Sequence, residues 1–315
     1  RPAPLPSKMA VCIGRQDVVE AFRGFLLQRS HVLISGTGGI GKTTIALELL
    51  HLPEVISVFP TRYFVSCDGI PDLGAFWLKL ADSLGVPSQM RGQQLLAGIL
   101  QTLSAGPSVL CVDNFETLWE PPHSRKDVEE NIAQLAGVAV LIVTMRGVER
   151  PGGIKWAPTT SLQPLSIDDG LTMFAEISGA SDNEYGEKLV RATDGLPLAI
   201  SILAHLAQPE METTESLWRR WEKTGPAVAS RGDGANERLF NLGTSIDLSL
   251  SSPRMLSDPS ANTVLAIIKE LPDGLPQSSD FLDELQEHLP TDIDLQASLR
   301  TLRRVALVNM DQSSD

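Results

Sequence analysis

Cysteine is scarce in this sequence: Cys12, Cys67 and Cys111 are the three in 315 residues. An odd, widely spaced trio in apolar surroundings excludes a disulfide framework and a cysteine-based metal site. It reads as buried thiols of a reducing, cytoplasmic compartment. Long apolar runs are also missing. The longest, around Leu135 to Met145 and Gly195 to Ala207, fall well short of the roughly 20 residues a membrane span needs, so no membrane partner is expected. Basic residues are outnumbered, 26 Lys and Arg against 39 Asp and Glu, for a net charge of -13. That balance disfavours a nucleic-acid or anionic-membrane surface, because phosphate contacts are made mainly by clustered Lys and Arg. The sequence has no signal-peptide pattern and no repeat at a 20 to 50 residue period. Opening on Arg1 in the proline-rich stretch RPAPLPS, it reads as an excised fragment. What remains is an ordinary globular composition, 42% apolar and 21% charged, in a length that suggests about two domains.

The apolar pattern divides the chain. Helical spacing over Gln16 to Arg29 is followed by the short apolar run His31 to Ser35, a glycine-rich turn, and helical spacing again over Lys42 to His51. Strand-like runs recur at Arg62 to Cys67, Ser108 to Val112 and Val138 to Thr144, with helical patterns carrying Phe76, Leu80, Ile99 and Leu103 between them. Strands alternating with helices imply a parallel sheet covered on both faces, ending near Leu162. After Pro164 the strand signal stops. Ser166 with Asp169, and Ser181 with Glu184, have capping-box spacing, and further helices are expected at Pro197 to Ala207 and near Thr214 to Lys223. A linker is expected over Gly225 to Asn236. Helices near Leu239 to Leu250, Ala261 to Leu271, Ser279 to His288 and Asp294 to Arg304, then a strand at Val305 to Asn309, fit a winged-helix unit whose second wing strand the sequence does not supply. The expected fold is α/β: a P-loop NTPase parallel sheet, a small helical domain and a truncated winged-helix domain. The expected boundaries are 1–15, 16–163, 164–228 and 229–315.

Between the first strand and the next helix stands GTGGIGKTT, comprising Gly36, Thr37, Gly38, Gly39, Ile40, Gly41, Lys42, Thr43 and Thr44. Glycines let successive backbone N–H groups turn toward phosphate oxygens, and the following helix adds its positive dipole end. Lys42 would reach the β- and γ-phosphates, and the Thr43 hydroxyl would ligate Mg²⁺. The metal also needs a carboxylate, which Asp113 offers at the end of the apolar strand in VLCVDNFE. Asn114 follows where many hydrolysing relatives have a second acid. An amide can orient water but cannot accept its proton, so slow hydrolysis is expected, on the order of less than a turnover per minute. Glu116 reads as a surface residue more readily than as a substitute base. Arg146 lies just past another apolar strand; if that strand neighbours the phosphate-loop strand, its guanidinium can reach a γ-phosphate. No N-K-x-D base-reading motif occurs, which leaves adenine as the default base.

The set CIGR (Cys12 to Arg15), GTGGIGKTT, VLCVDNFE, TMRG (Thr144 to Gly147) and GLPL (Gly195 to Leu198) resembles the NB-ARC module of STAND ATPases. That group includes plant disease-resistance receptors, the apoptosome-forming caspase activator and fungal NOD-like receptors, and RYFVSCD and DNFETLWEP look most like the fungal members. The resemblance covers about residues 10 to 310. It implies a module that holds ADP at rest and reopens with ATP and Mg²⁺ to self-associate, in innate-immunity or cell-death signalling. By motif match, Ile13, Gly14 and Arg15 would contact adenine and ribose, and Pro197 would pack against the nucleotide. Effector and repeat-type sensor regions would lie outside the fragment. The residues alone also allow Gly195 and Pro197 to be a helix stop and a helix start. A histidine-containing M-H-D motif is not visible, since no His follows His288. Two other functions stay open: a scaffold keeping ADP without turnover, which Asn114 favours, and a winged-helix DNA-binding regulator. Against the latter, residues 231–315 carry 14 acidic and 7 basic side chains.

Overall fold

Val32–Ser35, Ser108–Asp113 and Val140–Met145 are short, nearly continuous apolar runs buried along their whole length, as strands covered on both faces are, whereas Thr61–Ser66 alternates buried and half-buried residues. The computed structural model describes residues 2–308 except 10, 88, 122, 148, 159, 181–183, 209–210, 225–233, 272–274 and 277–278. The chain divides into two compact units, Arg1–Gln163 and Pro164–Met310.

The first unit runs α1 (Gln16–Leu27), β1 (Val32–Ser35), α2 (Lys42–Leu50), α3 (Pro53–Val58), β2 (Thr61–Ser66), α4 (Leu73–Leu84), α5 (Gly92–Ser104), β3 (Ser108–Asp113), α6 (Glu116–Trp119), α7 (Arg125–Ala136) and β4 (Val140–Met145). The four strands form one parallel sheet in the order β1-β4-β3-β2. Ser35 pairs with Met145, Val112 with Val143, and Ser66 with Asp113. Against one face pack Phe76, Leu80 and Leu84 of α4, Ile99 and Leu103 of α5, and Val128 and Ile132 of α7. Phe22, Leu26, Ile45 and Leu49, from α1 and α2, are buried as well. Outside β1, Ala157 N–H donates to His31 O and Leu162 N–H to Ser35 O, so these two residues hydrogen-bond to the edge strand. The apolar pattern places the end of the sheet near Leu162, whereas its last regular strand among the described residues, β4, ends at Met145, with an isolated bridge between His31 and Trp156 beyond it.

The second unit is helical among the described residues: α8 (Ile167–Ser178), α9 (Glu184–Ala192), α10 (Pro197–Leu206), α11 (Thr214–Thr224), α12 (Gly234–Leu250), α13 (Pro253–Ser257), α14 (Ser260–Lys269), α15 (Ser279–His288) and α16 (Leu295–Arg304). Asp169 N–H donates to Ser166 Oγ, which donates in turn to the Asp169 carboxylate, so that cap forms as its spacing implies. The second expected box begins at Ser181, outside the described residues, as does most of the expected linker. The expected strand at Val305 to Asn309 is a correction: 305–308 form a turn, and Asn309 lies outside the described residues. Val305 is fully buried as the C-cap of α16, its carbonyl accepting from Ser249 Oγ of α12. A short apolar run reads as a strand, but here it is the hydrophobic tuck that closes a helix.

Candidate nucleotide site

Parallel strands bring their C-terminal ends to one edge, and in this sheet that edge gathers the candidate residues. Ser35 leads into the phosphate loop, Asp113 ends β3, and Arg146 follows β4 directly. β4 lies between β1 and β3, which meets the condition the Arg146 expectation required.

Gly36 to Thr44 forms a tight loop running into α2. Gly41, the N-cap of α2, has φ 96, a left-handed conformation that strains any residue with a Cβ. Ile40 anchors the loop, its side chain only 1% exposed. Lys42, 6% exposed, folds back so that its ammonium donates to the carbonyls of Gly36 and Thr37, each at 3.0 Å. Burial holds its pKa below the ordinary lysine value; the Arg146 charge acts the same way, and the Glu116 and Asp113 carboxylates oppose it. A buried ammonium resting on two neutral carbonyls at a helix N-terminus fits the phosphates of a nucleotide.

Thr43 Oγ1 lies 2.9 and 3.1 Å from the two Asp113 oxygens, and Thr144 Oγ1 donates to Asp113 Oδ1 at 2.6 Å. Asp113 is 4% exposed. Burial raises its pKa, and the hydrogen bonds from Thr144 and Thr43 pull it back. A hydroxyl and a carboxylate in direct contact beside a phosphate loop are the hard oxygen donors Mg²⁺ takes alongside substrate phosphates. These residues fit that ion. Thr144, which sequence reasoning did not single out, also accepts from Asn114 N–H at 3.0 Å and so fixes the turn after β3. Its one signal was a hydroxyl facing inward at the end of an apolar strand.

Asn114 sits in the left-handed region, φ 53, with its amide donating to Asp68 at 3.0 Å. Glu116 is the second correction: it is 8% exposed rather than on the surface. One oxygen accepts from Arg146 N–H at 3.2 Å, and the other lies 3.2 Å from Arg146 Nε. The exposed Arg146 guanidinium also lies over the loop, its Cζ 3.6 Å from where a Cβ on Gly38 would be.

Arg15, 7% exposed, donates to the carbonyls of Ile40 at 3.1 Å and Gln163 at 2.8 Å. Those bonds make it a brace between the phosphate loop and the segment beyond the sheet. Gly14 is left-handed at φ 68, and Ile13 is half-buried. Pro197, in the second unit, occupies the first turn of α10 after a left-handed Gly195, which is the helix-stop and helix-start reading of GLPL. Cys67 and Cys111 are buried free thiols whose pKa burial pushes up, whereas Cys12 is only half-buried. Among the described residues, no helix is long and apolar enough to cross a membrane.

A glycine loop between strand and helix, a buried lysine on it and a threonine–aspartate pair beside it define a P-loop NTPase fold. Residues 26–150 match the family described as AAA domain. Solved structures with the same fold include the ORC1 protein of Aeropyrum pernix in complex with DNA, at TM-score 0.53 and 14% identity over 95% of this chain and 84% of that one. Another is a STAND protein of Pyrococcus horikoshii with a tetratricopeptide-repeat sensor, at TM-score 0.53 and 14% identity over 97% of this chain and 41% of that one. A Walker-type ATPase of Pyrococcus abyssi aligns at TM-score 0.51 with 15% identity, over 97% of this chain and 92% of that one. Curated relatives in Mycobacterium bovis and Mycobacterium tuberculosis, provisionally named HTH-type transcriptional regulators, are 25% identical over 193 residues, which is 58% of this chain. The match spans about a fifth of their length, 21%.

Proposed function

We propose that this chain is the nucleotide-operated switch module of a STAND-type ATPase, organised like an NB-ARC module. The observation that carries this reading is the Thr43–Asp113 pair beside a buried Lys42 at the C-terminal edge of the sheet. In it, Gly36 to Thr44 hold the phosphates of ADP or ATP, Lys42 neutralises the β- and γ-phosphates, and Thr43 and Asp113 hold Mg²⁺. When bound, the ion neutralises charge between the phosphates. Arg146 answers to the third phosphate, the backbone of Ile13 to Arg15 borders the base and ribose, and Pro197 packs on the nucleotide. Residues 16–163 form the nucleotide-binding domain, 164–228 the helical domain and 229–315 the winged-helix domain. The output is self-association controlled by phosphate state, in an innate-immunity or cell-death type pathway of fungal character in the cytoplasm. Such a switch requires ATP to prefer the open state, because a ligand binding both states equally shifts nothing. Hydrolysis is slow, since Asn114 cannot take a proton from water.

The test is native mass of the purified chain with ADP and with a non-hydrolysable ATP analogue, together with the identity of any copurifying nucleotide. A larger assembly with the analogue alone supports the switch. Tightly retained ADP with no exchange over hours and one unchanged mass would favour the scaffold. A second reading, the ATPase segment of a transcriptional regulator, is favoured by the names of the mycobacterial relatives. The acidic excess of residues 231–315 weighs against DNA contact there, and a salt-sensitive gel shift with duplex DNA would reverse that judgement.

A further inference from the structure

The turn after β3 is stitched to the end of β4. Phe115 N–H donates to Thr144 O at 2.9 Å, and Asn114 N–H to Thr144 Oγ1 at 3.0 Å. These bonds bring Glu116, the first residue of α6, against Arg146. The short helix cannot drift, because Phe115, Leu118 and Trp119 are each under 5% exposed, and Trp119 Nε1 donates to Glu129 of α7 at 2.9 Å. The nearly buried carboxylate thus faces Arg146 from a rigid support, taking its backbone N–H and lying 3.2 Å from Nε. The Nη side of the guanidinium stays over Gly38, with Nη2 3.6 Å from a Cβ built there. An arginine gripped at Nε keeps its outer two-pronged edge for a phosphate oxygen.

We propose that Glu116 is a positioning residue that aims Arg146 across the phosphate loop, so that discrimination between nucleoside triphosphate and diphosphate depends on the Glu116–Arg146 pair. This rests on the proposed nucleotide site and adds a residue to it. Without Glu116, an exposed arginine would spread over many rotamers, and ordering it on a third phosphate would cost binding free energy.

The experiment is calorimetric titration of the chain with ADP and with ATPγS in Mg²⁺, using wild type, Glu116→Gln, Arg146→Ala and the double variant. Glu116→Gln is expected to lower the ATPγS-to-ADP affinity ratio roughly tenfold, with ADP affinity little changed. In the Arg146→Ala background the same substitution should change nothing further. A Glu116 acting only as a negative charge near the phosphates would do the opposite: the ratio would rise, and would rise equally without Arg146. That result, or an unchanged ratio, overturns the inference while leaving the nucleotide site standing. No binding of either nucleotide by the wild type overturns the site, and the inference with it.

Discussion

Thr43 and Asp113 carry the metal part of the account through three oxygens, one hydroxyl and two of the carboxylate. Thr43→Val keeps the shape and removes the hydroxyl, so Asp113 keeps only its bond from Thr144. Nucleotide affinity measured with and without Mg²⁺ should separate in the wild type, and that separation should shrink roughly tenfold in Thr43→Val. At the opposite edge of the sheet, His31 Nδ1 accepts from Leu141 N–H at 3.2 Å, and burial lowers its pKa. The unfolded chain therefore binds the proton first as pH falls through the ordinary histidine value near 6.5, and stability drops below that pH. A His31→Asn variant, whose carbonyl can take over the acceptor role, should lose less melting temperature between pH 7.5 and pH 5.5 than the wild type; equal losses would remove His31 from the acid response. The phosphate loop was legible in the sequence because its glycines, lysine and threonine are contiguous. Glu116 and Thr144 were not, because each gains its role from β3 and β4 lying side by side, and spacing along the chain does not carry that information.

Helices and strands show the same division. β1, β3 and β4 were visible as apolar runs because both their faces are covered, and β2 as a short run around Tyr63, Phe64 and Val65 that buries alternate residues, whereas α7 escaped notice: RKDVEENIAQLA buries only Val128, Ile132 and Leu135 on one narrow stripe. α3, α6 and α13 have six, four and five residues, too few for a helical period to show. Loop geometry gives the sharpest element-scale expectation. Gly195, at φ 68, precedes α10, and a Cβ there would stand 2.4 Å from Leu165 O. Gly195→Ala should therefore cost at least about 2 kcal/mol of stability in denaturant unfolding. Asp294→Ala, which removes the carboxylate accepting from Ala297 N–H at 2.8 Å, should cost about 1 kcal/mol. A ranking reversed between the two would mean that the backbone before α10 relaxes freely.

For the molecule as a whole, the account depends on a chain with a net charge of -13 concentrating a few cationic groups where a polyanion would bind. Lys42 and Arg146 face one loop on the first unit, with the dipole of α2 behind them. Their combined field must outweigh the general repulsion of an acidic protein for ATP, and it does so only at contact range, inside a Debye length of about 8 Å at physiological salt. Nucleotide affinity should accordingly depend on salt far less than that of a protein binding polyanions through a wide surface. The most direct measurement is calorimetric titration of nucleotide-free chain with ADP and with a non-hydrolysable ATP analogue, on wild type and Lys42→Ala. One site binding both ligands, and lost in the variant, is the predicted result. No heat with either ligand, or binding undiminished without Lys42, would contradict it.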